Sequence, residues 1–183
     1  FSGKTKKGWS IGILESMTSK EFSEINTNGA ISESLIEPFA NYFVGRAYDG
    51  NYFKYKNPEV SKDIIFYENL INWNAPIILC EGVFDAIAIR RNAIPILGKN
   101  ISKSLYKKII TSKLTDIYIA LDQDAQDEAL KIAEKFLNQG KKVFLVNMKD
   151  KDPSQMGFKA FTKLIQQAVE LDLSRLMLHK LDL

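Results

Sequence analysis

A chain of 183 residues, 45% hydrophobic and 26% charged, has the composition of a folded globular protein with room for one sizeable core and a smaller companion. Its 25 basic and 22 acidic residues nearly cancel at a net +3, so bulk charge permits contact with nucleic acid without arguing for it. One cysteine (Cys80) and one histidine (His179) exclude an internal disulfide and a Cys/His zinc site, and no run is apolar enough to span a bilayer or to act as a signal peptide.

Residues 1–30 are polar and weakly periodic. The chain opens on Phe1, and Lys4, Lys6 and Lys7 read as a linker from something upstream. Trp9, Ile11, Ile13 and Leu14 predict a short strand, and Thr27-Asn28-Gly29 a turn. From Ser34 to Asn57 the pattern is one of short antiparallel strands: Leu35–Phe39, Tyr42–Arg46 and Tyr52–Tyr55, the last two joined by a tight turn at Asp49-Gly50-Asn51. Aromatic residues interleave there with Arg46, Lys54 and Lys56. Cations meet phosphates and rings meet bases, so the hairpin suits a nucleic-acid strand. A solvated hairpin with aromatic cross-strand pairs has the same spacing, and spacing alone favours it. Asn57-Pro58-Glu59 ends the strand, and residues 64–73 read as a linker with a short helix.

From Pro76 the chain alternates. Ile77–Cys80, Ile94–Leu97, Asp116–Leu121 and Val143–Val146 are short, nearly continuous apolar runs that predict buried strands. Helical periodicity separates them at 83–92, 102–111 and 125–138, and a further helix follows over 158–169. Ser102 is placed as an N-cap and Gly140 as a C-terminal stop. Continuous apolar strands alternating with amphipathic helices predict an α/β fold: a mostly parallel, four-stranded sheet flanked by helices, behind a small N-terminal α+β subdomain. The expected division is 1–74 for that subdomain, 75–171 for the α/β domain and 172–183 for a leucine-rich tail, either a last helix or a docking segment.

Three strand ends carry acids. Glu81-Gly82 follows the first strand, with Asp85 one helical turn on; Asp122-Gln123-Asp124 follows the third; Asp150-Lys151-Asp152-Pro153 follows the fourth. The carboxyl ends of parallel strands are where open α/β sheets bind ligands. Carboxylates gathered there repel one another unless a cation neutralises them, and oxygen ligands without His or Cys select Mg²⁺ or Mn²⁺. Singly, Asp85, Asp124 and Asp127 are also explained as acids complementing a helix N-terminus, and Asp152 as turn chemistry before proline. Glu81 at the mouth of a core is harder to explain as structure. Lys99 and Lys103, after the second strand, fit a phosphate contact and a solvated helix face equally well.

The E-G-x-x-D of Glu81 to Asp85 and the D-x-D of Asp122 to Asp124 together resemble the topoisomerase–primase (Toprim) domain. Asp152-Pro153 is similar to the third acidic element of bacterial-type primases. Val44-Gly45-Arg46 and Lys54-Tyr55-Lys56-Asn57-Pro58 resemble motifs of their small basic subdomain. The likeness covers roughly residues 35–170, and it narrows from Toprim proteins at large to bacterial or phage-type DNA primases. It departs from them where Asp124 is followed by Ala125 rather than by an early glycine, and in having no upstream zinc module.

The resemblance implies a DNA-directed RNA polymerase core that makes short RNA primers on single-stranded DNA by two-metal nucleotidyl transfer. Glu81, Asp85, Asp122 and Asp124 would be catalytic; Glu81, Asp122, Asp124 and Asp152 would hold Mg²⁺ or Mn²⁺; Arg46, Lys54, Tyr55 and Asn57 would track nucleic acid. Template, ribonucleoside triphosphates and RNA primer are the implied partners, with a replicative helicase and a separate zinc-binding module beyond them. The setting is cytoplasmic, that of the host if phage-encoded. Two other readings use the same residues: a metal-dependent Toprim nuclease, and a non-catalytic nucleic-acid-binding fragment.

Overall fold

The structure, a computed structural model, describes residues 2–4, 9–12, 44–47, 55–57, 59–66, 68–148 and 152–181. They fall into two compact units, residues 1–62 and 63–183. The first holds an antiparallel sheet of β1 (Ser2–Lys4), β2 (Trp9–Gly12), β3 (Val44–Ala47) and β4 (Tyr55–Lys56), in that order. The strand predicted at Trp9 is β2, and the predicted hairpin strands correspond to β3 and β4. The strand expected at 35–39 and the turn at 49–51 lie outside the described residues. β1 was not predicted, because Ser2-Gly3-Lys4 has no apolar alternation to announce it.

The second unit is built on a five-stranded sheet in the order β6-β5-β7-β8-β9. β5 (Ile77–Cys80), β6 (Ala93–Pro95), β7 (Asp116–Ala120) and β8 (Lys142–Leu145) run parallel. The fifth strand, β9 (Val169–Leu171), pairs antiparallel with β8. This corrects the expectation of four strands. Val169 and Glu170 are exposed and only Leu171 is buried, so an edge strand this short leaves no period-2 pattern to read.

The helices are α1 (Val83–Ile89), α2 (Lys103–Thr111), α3 (Gln126–Leu137), α4 (Pro153–Gln167) and α5 (Leu173–Leu181). Ser102 N-caps α2 by accepting the Leu105 N–H at 3.2 Å, as predicted. α4 starts at Pro153 rather than near Phe158. Its first turn is polar, and Gly157 at φ 76° kinks the helix there, which hides the start from a periodicity argument.

α1 packs against α4. α2, α3 and α5 share the main core with the strands through Leu105, Ile109, Leu130, Phe136 and Leu176. Ile77, Leu79, Ile117, Ile119 and Val143 belong to that core, while Ile78 and Cys80, one residue out of step, are buried outside it. A sheet buried on both faces explains why its central strands read as unbroken apolar runs. The tail expected to begin at 172 is therefore structural in part, since Leu176 is completely buried.

A carboxylate cluster at the switch point of the sheet

In the order β6-β5-β7-β8, the chain leaves β5 towards β6 on one side and returns to β7 on the other. The loops after β5 and β7 diverge and open a crevice between their carboxyl ends. Register then fixes what lines it. Cys80 pairs with Ala120, so Glu81 and Asp122 leave the sheet one and two residues beyond a matched pair of neighbours. Asp124 follows on a 3-10 turn, Gln123–Ala125, whose start at Asp122 brings its carboxylate back to the same mouth. Glu81, Asp122 and Asp124 each offer a carboxylate oxygen within 4.8 Å of the others.

The electrostatics follow from that crowding. Burial, then the charges of Asp122 and Asp124, push the Glu81 carboxyl up to about 7. Burial raises Asp122 as well, with Asp152 and Asp124 adding to it. Asp122 Oδ1 is buried with no hydrogen-bond partner. An all-oxygen donor set fits a hard divalent cation such as Mg²⁺ or Mn²⁺.

Asp85 stands beside this cluster but outside it. Its Oδ2 accepts the Gly82 N–H at 3.2 Å and its Oδ1 accepts the Ser154 N–H at 3.3 Å, so it joins the start of α1 to the start of α4. Burial raises its carboxyl and the Asp152 charge adds to the rise, while the two amides oppose it. Gly82 does not serve the turn by a left-handed conformation, since its φ is −120°. Its role is space: a Cβ there would sit 3.1 Å from Asp85 Oδ2. Asp152 N-caps α4, accepting the Gln155 N–H and the Ser154 hydroxyl, each at 2.8 Å. It is not one of the three clustered acids, but its field reaches both Asp122 and Asp85.

The remaining candidates are scattered. Lys99 lies 3.9 Å from Glu128 near the start of α3, and Lys103 opens α2 with its side chain exposed. Arg46 and Tyr55 are register partners across β3 and β4 in the first unit, and Lys54 lies outside the described residues. Asn57 follows β4, partly buried, with its Oδ1 unpartnered. Ser154, whose amide holds Asp85, was not singled out from sequence. Backbone donors carry no residue signature, and only the Asp-Pro-Ser capping pattern hints at it.

A five-stranded, mostly parallel sheet with helices on both faces and acids at its switch point is a Toprim-type fold. A family model for a domain of unknown function, DUF5916, matches residues 1–52, a minor part of the chain. No curated protein matches it in sequence. Among solved structures, the Escherichia coli primase catalytic core is 19% identical at a TM-score of 0.62, covering 78% of this chain and 52% of its own. The Aquifex aeolicus primase, comprising zinc-binding and RNA polymerase domains, is 21% identical at 0.58 over 73% of this chain and 38% of its own. A bacteriophage T7 assembly of lagging-strand DNA polymerase with primase domains, bound to an RNA/DNA hybrid and dTTP, gives 16% identity at 0.56 over 91% of this chain and 79% of its own. This chain has the fold of bacterial and phage primase catalytic cores, and it spans about half or less of the bacterial chains it matches.

Proposed function

We propose that this chain is the catalytic core of a DNA primase, joining ribonucleotides into short primers on a single-stranded DNA template. The observation that carries the reading is the meeting of Glu81, Asp122 and Asp124 within 4.8 Å at the switch point of a primase-core fold, with Asp122 Oδ1 buried and unmatched. Glu81, Asp122 and Asp124 would hold a Mg²⁺ or Mn²⁺ ion, with Asp152 as a further acid alongside. Such an ion, when bound, neutralises triphosphate oxygens and the charge of the leaving pyrophosphate.

The chain's own residues do the positioning. The buried ends of β5 and β7 place Glu81 and Asp122 side by side. In the metal-free site, burial and then the Asp122 and Asp124 charges hold the Glu81 carboxyl at about 7, so an ion bound there would displace a proton from it. Asp85 would complete the acidic patch as a further catalytic acid, while its oxygens accept the Gly82 and Ser154 N–H groups and so join the starts of α1 and α4. Lys99 and Lys103 are the candidate phosphate contacts. Arg46, Lys54, Tyr55 and Asn57 would track the template or primer.

Two relatives by fold support the partner classes: a DnaG primase catalytic domain was solved bound to single-stranded DNA, and the T7 assembly holds an RNA/DNA hybrid with dTTP. Template, primer and nucleoside triphosphate are proposed for this chain on that basis, and a helicase and a separate zinc module as further members of a primosome.

The test is template-dependent incorporation of labelled ribonucleotides with Mg²⁺ or Mn²⁺. Asp122→Ala is expected to lower it at least about 100-fold while the circular dichroism spectrum is unchanged. Full activity in that variant overturns the reading. Strand cleavage in the absence of nucleotides would establish the nuclease alternative instead.

A further inference from the structure

On the β8–β9 side of the sheet the second unit contains a cavity of about 600 Å³ that belongs to none of the roles above. Its size is within the range of small-molecule and cofactor sites, and larger than a lone ion or phosphate needs. Buried Val146, Met148 and Leu171 supply apolar lining. Four amide-bearing residues also line it: Gln123 on the 3-10 turn, Gln126 at the start of α3 with its Nε2 donating to the Asp122 carbonyl at 3.5 Å, Asn147 after β8, and Gln167 at the end of α4. Amides present a donor and an acceptor side by side, which is the pattern that pairs with N6 and N7 of adenine.

The opposite chemistry sits on α5. Arg175 and His179 are four residues apart, hence on one face of the helix, and both line the cavity. Arg175 is held in place there: its Nη1 donates to the Glu170 carbonyl at 2.8 Å, and its Nε lies 3.9 Å from Asp172. The fork has further N–H groups for an anion. Glu170 is the one carboxylate among the described lining residues, and a carboxylate beside such a site can accept hydrogen bonds from ribose hydroxyls.

We propose that this cavity is a second nucleotide site, taking a purine nucleoside 5′-monophosphate with adenine preferred. The apolar lining takes the flat face of the base, the amides read its edge, Glu170 meets the ribose, and Arg175 with His179 meets the phosphate. None of the three clustered acids lines the cavity, so the site does not depend on the metal reading. Gln123 does line it, and stands between Asp122 and Asp124 in sequence.

The test is calorimetric titration of the full chain with AMP in EDTA, so that no metal-dependent nucleotide binding contributes. Saturable binding is expected, tighter for AMP than for adenosine or ribose 5-phosphate. His179→Ala should weaken it about tenfold. His179 is exposed and lies outside the core, so that variant keeps the fold; Arg175→Lys gives a second one, with the charge kept and the fork lost. No AMP binding up to about 1 mM, equal affinity for AMP and ribose 5-phosphate, or unchanged affinity in both variants would overturn the site. Asp122→Ala should leave AMP binding intact in EDTA, and so separates failure of this site from failure of the primase reading.

Discussion

Five acids gather at one edge of the sheet, and they divide into two kinds. Asp85 and Asp152 are clasped by the polypeptide: backbone amides of Gly82, Ser154 and Gln155 and the Ser154 hydroxyl engage their oxygens. Glu81, Asp122 and Asp124 crowd within 4.8 Å, and one oxygen of Asp122 is buried with nothing to accept. All five are carboxylates near the carboxyl ends of the parallel strands. The difference is whether the fold supplies donors. Where it does, the acid also ties elements together, and its removal is expected to loosen the protein. Where it does not, the acid is held at a cost, and its removal is expected to relax the metal-free protein.

The contrast is sharpest in paired activity and stability measurements. Asp122→Asn should abolish ribonucleotide incorporation and yet leave the metal-free protein as stable as the parent or about 1 kcal/mol more so, because a like charge is removed from a crowded site. A marked loss of stability in denaturant titrations would place Asp122 with the clasped acids. Asp85→Ala should do the reverse, lowering stability by about 2 kcal/mol as the Gly82 and Ser154 amides lose a charged acceptor. An unchanged unfolding midpoint would sink the assignment of Asp85 as a tie between α1 and α4.

Gly82→Ala addresses the same tie from the other side. A Cβ 3.1 Å from Oδ2 of a carboxylate whose two oxygens are each held by one amide must shift that carboxylate. The substitution should lower stability by about 1 kcal/mol alone and by less in an Asp85→Ala background, a coupling that a double-mutant cycle reads directly. Strict additivity would show that the glycine matters for some other reason.

The pH dependence follows from the same crowding. Glu81 has its folded value raised from 4.5 to about 7, so between those values the folded state keeps a proton that the unfolded state has released. Stability of the metal-free protein is then highest below about pH 4.5 as far as this group is concerned, falls as pH rises towards 7, and is level above it. Asp122 and Asp85 are raised in the same direction. For a half-exposed carboxylate, solvent screening leaves about 1 kcal/mol of effect. Added Mn²⁺ or Mg²⁺ should recover that loss at pH 8 and do little at pH 5, as seen in thermal unfolding, since the ion competes with the proton for the same oxygens. The smallest change is expected for Asp152→Ala. An N-cap is lost, at about 1 kcal/mol, and part of this is returned by weaker repulsion on Asp122 and Asp85.

Much of this was legible because the relevant signals are local. Parallel strands buried on both faces must be continuously apolar, so Ile77–Cys80 and Asp116–Ala120 stand out from their surroundings. Acids directly after such runs are placed at the ligand-binding edge by connectivity alone. The antiparallel β9 escaped notice because two of its three residues face solvent, and the early start of α4 because its first turn is polar and kinked at Gly157. Grouping the acids by type also hid their division: Asp85 lies within one helical turn of Glu81, yet its partner is the amide of Ser154, 69 residues away.

The amino-acid sequence by itself determined the alternation of strand and helix, and hence the sheet, its buried faces and the end at which charged groups collect. These follow from periodicity, which acts over a few residues. Only the tertiary structure decided which carboxylates met one another, which met an amide, and that polar residues from α3, α4, α5 and the end of β8 line one open cavity. Strand register and helix docking set such meetings between residues far apart in the chain, and no short-range pattern encodes them.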